Sequence, residues 1–142
     1  MRVVITIEGA QADVLEQEPD EQVQFSTDGE YSCVDGCGML TYPESELTGM
    51  AGTITTITFT PSNAVLKRTG AVTSRMVFAP GTQAPERLGV VVPYGTSTVG
   101  LETQRYRSTL GERGGVLELL YVVDFDHACA NRNRLRITVR EQ

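Results

Sequence analysis

Apolar and polar residues alternate along most of this chain with a period of two, the period of a strand that buries one face. Val3, Ile5 and Ile7 alternate with Arg2, Val4, Thr6 and Glu8, which predicts a first strand over Arg2 to Glu8. Gly9 to Asp20 is acidic, holds Pro19 and has no helical stripe, so it reads as a connection. Alternation resumes through Val23 and Phe25 over Glu21 to Val34, with a bulge or bend expected at Asp28-Gly29 and a turn at Asp35-Gly36. Cys37 to Tyr42 follows and ends at Pro43, which cannot donate to a ladder. Pro43 to Gly52 has room for one helical turn at most.

Thr53 to Thr60, Ala64 to Thr69, Thr73 to Ala79 and Leu88 to Val92 are short strands separated by Pro61-Ser62-Asn63, Gly70 and Pro80-Gly81. The last three are the longest. Thr96 to Leu110 alternates through Val99, Leu101 and Thr103, and Val116 to Phe125 sets Leu117, Leu119, Tyr121, Val123 and Phe125 on one face. In the final strand Leu135, Ile137 and Val139 alternate with Arg134, Arg136, Thr138 and Arg140. About ten strands joined by short connections describe an up-and-down antiparallel meander, and a sheet of that size closes on itself or splits into two layers to remove its edges. The expected fold is all-β: one domain over residues 1–142, an antiparallel up-and-down barrel of about 8–10 strands.

Composition narrows this picture. At 142 residues the chain is one domain able to bury roughly two thirds of its unfolded surface, and its core must come from Val, Ile, Leu, Thr and Tyr because Trp is absent. No run approaches the roughly 18 apolar residues of a membrane helix, and Met1 to Ile7 has no secretory signal. Three cysteines, an odd number, suit a reduced compartment. A cytoplasmic location is expected, with no membrane partner.

Charge is unevenly spread. Residues 1–66 carry Arg2 against eleven acids, and residues 67–142 carry eleven basic side chains against seven acids. In a single sheet the two halves interleave, so compensation across strands is the expected result. The net charge of −6 argues against nucleic-acid binding. Arg132, Arg134, Arg136 and Arg140 form a basic stripe on the final strand, and an acidic partner or a homodimer through that face is the rival to a role for the interior.

Several motifs run in order along the chain: Glu30-Tyr31, Leu40-Thr-Tyr-Pro-Glu-Ser-Glu-Leu-Thr-Gly49, Leu66-Lys-Arg-Thr-Gly70, Met76-Val-Phe78, Pro93-Tyr-Gly95 and Gly114-Gly-Val-Leu-Glu-Leu-Leu-Tyr121. With this spacing the chain resembles the YwiB-like family of small bacterial proteins of unknown function. The resemblance implies a lipocalin-like (calycin) barrel and brings no activity, cofactor or ligand with it. One departure is Val90-Val91-Val92, where the family tends to have Tyr-x-Thr ahead of Pro-Tyr-Gly.

Candidate chemistry is sparse. A barrel of this size can hold one small molecule among apolar walls and a few placed polar groups. Arg68 is the leading such group, since Gly70 beside it permits close approach and a guanidinium can grip a carboxylate with two hydrogen bonds. Arg75 and the hydroxyls of Tyr42, Tyr94 and Tyr121 complete the expected ligand site, and Tyr31 and Tyr106 are further hydroxyls. The competing expectation is that Arg68 pairs with Glu44 or Glu46 at the rim of a barrel filled by its own side chains.

Cys33, Cys37, His127 and Cys129 would suit zinc, but a meander places their two turns at opposite ends of the barrel. Cys33 and Cys37 are expected to face each other across the turn. His127 with Cys129, Asp124 and Asp126, and Glu44 with Glu46, are the only acid/base candidates, and each reads as a solvated loop. No catalytic residue, metal or cofactor is expected. The function expected from the sequence is binding of a small anionic or amphipathic ligand, without catalysis.

Overall fold

The computed structural model describes residues 1–13, 21–45, 50–80, 86–92, 95–125 and 129–142, with side chains over 1–10, 23–45, 50–80, 100–123 and 132–142. Ten strands follow in order: β1 (Arg2–Asp13), β2 (Glu21–Val34), β3 (Cys37–Pro43), β4 (Thr53–Phe59), β5 (Ala64–Gly70), β6 (Ser74–Phe78), β7 (Glu86–Val92), β8 (Gly95–Ser108), β9 (Gly114–Phe125) and β10 (Cys129–Glu141). They hydrogen-bond in the order β6-β5-β4-β3-β2-β1-β10-β9-β8-β7, each pair antiparallel. The first and last strands of the chain are therefore neighbours, with Ile5 opposite Val139, Ile7 opposite Ile137 and Gly9 opposite Leu135. This register stacks two apolar rows on the same inner face. The sheet curls until β6 meets β7. Among the described residues no backbone ladder joins those two, so the barrel is nearly closed. Beside that seam the Ala79 amide donates to Thr103 Oγ1 of β8 at 3.2 Å. No helix of the described residues is long and apolar enough to cross a membrane.

Successive connections alternate between two ends of the barrel. The chain termini and the turns β2–β3, β4–β5 and β8–β9 lie at one end, here the base; the connections β3–β4 and β5–β6 lie at the other, the mouth. The base is packed shut. Tyr31 and Phe59 stack with ring centroids 5.9 Å apart, and the Tyr31 hydroxyl donates to the Gly111 carbonyl at 2.5 Å. The Tyr106 hydroxyl lies 2.7 Å from the Thr60 carbonyl and 2.8 Å from that of Asn63, tying β8 to the β4–β5 turn. Tyr106→Phe removes the donor to both carbonyls and is expected to lower the unfolding free energy by about 1 kcal/mol in urea titration. An unchanged midpoint would mean that water serves those carbonyls equally well.

Local chemistry explains where the strands run and where the expectations fail. Asp35 and Gly36 both have positive φ, 54° and 80°, the pair of angles a two-residue type I′ turn needs. That turn sets Val34 opposite Cys37, so Cys33 faces inward and buried while Cys37 is exposed. The expected facing cysteine pair is thus corrected: a register of one residue separates the thiols onto opposite faces. No bulge occurs at Asp28-Gly29, where the β1 ladder runs unbroken. Gly29 is instead a point of close approach, since a methyl group there would meet the Ile5 side chain and sit 2.5 Å from the Thr41 carbonyl oxygen. β1 also runs on to Asp13 because Gly9 to Asp13 keep partners in β10. The register shift lies in β8 between Thr103 and Arg105 and resets its phase, so that Leu101 and Thr103 face inward before it and Tyr106 after it. The expected helical turn between Pro43 and Gly52 falls partly on 46–49, outside the described residues.

Candidate functional site

Among the described residues, the interior carries one concentrated group of polar side chains. Ladder register places Tyr42 of β3 opposite Thr55 of β4, Thr55 opposite Arg68 of β5, and Arg68 opposite Ser74 of β6, so four inward positions form one row across four strands. Glu44 joins the row from just beyond β3. Pro43 cannot donate, but the Glu44 amide donates to the Thr53 carbonyl at 2.9 Å, which extends the pairing by one residue and keeps Glu44 in the inward phase of Leu40 and Tyr42. The β5–β6 connection folds over the row, with the Val72 amide donating to Thr53 Oγ1 at 3.1 Å.

Glu44 is at the centre of this group. Its side chain is 2% exposed, against 18% for Arg68, and Glu44 Oε1 lies 3.9 Å from Arg68 Nε. Thr55 Oγ1 donates to the same carboxylate oxygen at 2.6 Å, and the Tyr42 hydroxyl also bonds to Glu44. A dry carboxylate is tolerated only with a counter-charge and donors around it, and all of these are present. Burial pushes the Tyr42 hydroxyl far above its ordinary pKa; the Glu44 charge adds to that shift and the Arg68 charge opposes it. Burial likewise raises Tyr121, and Arg68 again pulls the other way. Both phenols therefore stay protonated donors at physiological pH. Tyr121 packs edge-on to Phe78, with ring centroids 4.9 Å apart, and feels the Arg68 charge across the interior.

The Arg68 fork is only partly used. Nη1 lies 3.6 Å from Met76 Sδ, a weak acceptor, and Nε has no hydrogen-bond partner among the described residues. Ser74 Oγ, opposite in the ladder, is buried and likewise has none.

Beyond this row the packing thins toward the mouth on three adjacent strands. On β1 the inward residues pass from Ile5 at 0% exposure through Ile7 at 5% to half-buried Gly9, and on β10 from buried Ile137 to half-buried Leu135. Phe25 gives way to half-buried Val23 on β2. Among the described residues, a methyl group placed on Gly9 would touch nothing within 4 Å. Tyr121, on the inward face of β9, packs against the core.

Of the residues expected to form the ligand site, Arg68, Tyr42 and Tyr121 come together. Arg75 does not: Ser74, Met76 and Phe78 take the inward positions of β6, which turns Arg75 outward beside Lys67. Tyr94, Glu46 and His127 lie outside the described residues, as does the side chain of Cys129. Glu44, expected at the rim, is instead buried inside. Thr55 and Ser74 were not singled out in the sequence, although the inward phase of β4 and β6 was readable from Ile57, Phe59, Met76 and Phe78. No group of three or more His, Cys, Asp or Glu side chains suited to a metal occurs among the described residues.

The model of the family described as "Domain of unknown function (DUF1934)" matches residues 5–137. The chain belongs to the DUF1934 family. The fold is similar to that in the crystal structure of the ywiB protein from Bacillus subtilis, with a TM-score of 0.81 at 18% identity, covering 99% of this chain and 92% of that one. At that identity the likeness concerns the fold. No curated protein matches the chain.

The outer face of this DUF1934 barrel is organised by charge. Arg136 of the basic stripe stands 4.0 Å from Glu8 of β1 and 3.5 Å from Glu118 of β9, so acidic and basic halves of the chain meet across the β1–β10 and β10–β9 ladders. These partners are exposed and contribute little to stability. Arg134 and Arg136, with Glu8, Gly9, Ala10, Val23 and Gln24, line an open groove of about 570 Å³ at the mouth end of β1, β2 and β10.

Proposed function

We propose that this DUF1934 protein is a non-enzymatic, calycin-type binding barrel of the cytoplasm that takes a small amphipathic or anionic molecule into its interior. What supports this reading is the polar group inside the barrel, where Arg68 Nε and Ser74 Oγ have no hydrogen-bond partner among the described residues, together with the looser packing of Gly9, Val23 and Leu135 toward the mouth. Binding sites combine apolar walls with a few convergent polar groups in this way. A reduced compartment accords with Cys33 and Cys37 as free thiols on opposite faces of one hairpin.

Native mass spectrometry of gently purified protein tests the reading. The expected spectrum carries a surplus of a few hundred daltons that vanishes on denaturation and is lost in Arg68→Ala. A bare mass, together with no shift in melting temperature across a panel of small amphiphiles, would overturn it.

A further inference from the structure

We infer that the outer face of β3, β4 and β5 docks a second copy of this chain, in a two-fold dimer whose axis runs along β4. This contact is independent of any binding inside the barrel.

The outward positions of β3 and β4 carry no charge: Met39, Thr41 and Pro43 on one strand, Ile54, Thr56 and Thr58 on the other. Three of the four large apolar side chains exposed among the described residues, Val34, Met39 and Ile54, lie on this side of the barrel. Apolar side chains gathered on one face in this way mark a surface that gains by being covered.

Register arranges the face in rows that cross five strands from β2 to β6. One row reads Ser32, Met39, Thr58, Val65, Val77, and the next reads Glu30, Thr41, Thr56, Lys67, Arg75. The second row is acidic at its β2 end and basic at its β6 end. Within its own chain the exposed Glu30 carboxylate has the Met1 amino group at 3.7 Å and Arg2 Nε at 4.0 Å, pairs too long and too wet to hold it strongly.

A two-fold axis along β4 sets each position of a row against the position equally far on the other side of β4. Glu30 then meets Arg75 of the second copy, Met39 meets Val65, and Ile54, Thr56 and Thr58 meet their own copies. An axis across the strands would pair Glu30 with Glu30 and Arg75 with Arg75, so charge selects the first arrangement. Shape agrees with charge. Two barrel walls are convex toward each other, and the gap between them widens away from the axis. Short threonines at the centre let the sheets approach, while Glu30 and Arg75, each about 10 Å from β4 by strand spacing, are long enough to reach across. The arginine stripe of β10 serves a second copy less well, because an axis along that strand would set Arg134 against Arg134 and Arg136 against Arg136.

Sedimentation equilibrium of the full chain tests the inference, and a dimer is expected. Thr56→Arg sets two guanidinium groups face to face on the axis and is expected to raise the dimer dissociation constant at least tenfold. Glu30→Arg sets like charges together and is expected to weaken the dimer, and adding Arg75→Glu is expected to restore it. Within one copy Glu30 and Arg75 stand four strands apart, so that recovery reports a contact between copies. A monomer at every concentration would overturn the inference. So would a dimer that Thr56→Arg leaves intact and Arg136→Glu dissociates, which would place the contact on the arginine stripe. The charge exchange decides the matter even if Thr56→Arg folds poorly, and no recovery in the double variant would overturn the proposed axis.

Discussion

Glu44→Leu is expected to lower the unfolding free energy by about 3–5 kcal/mol, the cost of leaving one member of a buried ion pair without its partner. The carboxylate removed is nearly dry, and Arg68, 18% exposed, would keep its charge inside a barrel whose described residues offer it Met76 Sδ and the oxygens of neutral side chains. Thr55 and Tyr42 would lose their shared acceptor as well, which adds to the penalty. The second substitution separates this cause from simple misfit. Glu44→Leu combined with Arg68→Met replaces both charges by apolar volume, and buried pairs exchanged in this way are often neutral or better. The double variant should recover most of the loss in urea unfolding. If Glu44→Leu alone costs less than about 1 kcal/mol, water reaches Arg68 freely and the pair is not a dry one.

The second large effect concerns the base. Phe59→Ala is expected to cost about 3–5 kcal/mol, since the ring is 1% exposed and stacks on buried Tyr31, and its loss leaves a void there. Val23→Ala, at the opposite end of the interior, should cost about 1 kcal/mol or less, because that side chain already borders open space. Chemical denaturation of the two variants measures the packing difference between base and mouth. Equal losses would mean that the mouth is as tightly filled as the base and would remove the room on which interior binding depends.

Much of this architecture was readable beforehand, for a physical reason that also marks the limit. A strand that buries one face writes its period into the chain, so β2, β3 and β9 were found within two residues of their ends from Phe25, Leu40, and Leu117 with Leu119. Segments whose outward and inward positions are both polar carry no such period. Gly9 to Asp13 therefore reads as connection, although β10 on one side holds it in the ladder. The outward place of Arg75 is legible in the sequence, since Met76 and Phe78 on either side of Val77 assign the inward phase of β6 to the even positions. The bulge in β8 was not legible, because a register shift depends on the partner strand, and nothing in Thr103-Gln104-Arg105 itself signals it.

The candidate site divides in the same way. Arg68, Tyr42 and Tyr121 were chosen for their side-chain chemistry, and sequence alone supplied both that chemistry and the inward phase that brings them to the interior. Glu44 depended on what lies across the sheet. A carboxylate two residues past Tyr42, after a proline and beside another Glu, has the look of a loop, and only the Thr53 carbonyl reaching the Glu44 amide carries it into the barrel. Alternation along the chain determined the number of strands, their order as a meander and the composition of the core, because each of these depends on neighbours in sequence. The tertiary structure decided that β1 closes against β10 while the seam falls between β6 and β7, that the two thiols part onto opposite faces, and that Arg68 meets its counter-charge inside. Those outcomes depend on register and curvature, which are properties of paired strands and are written in neither strand alone.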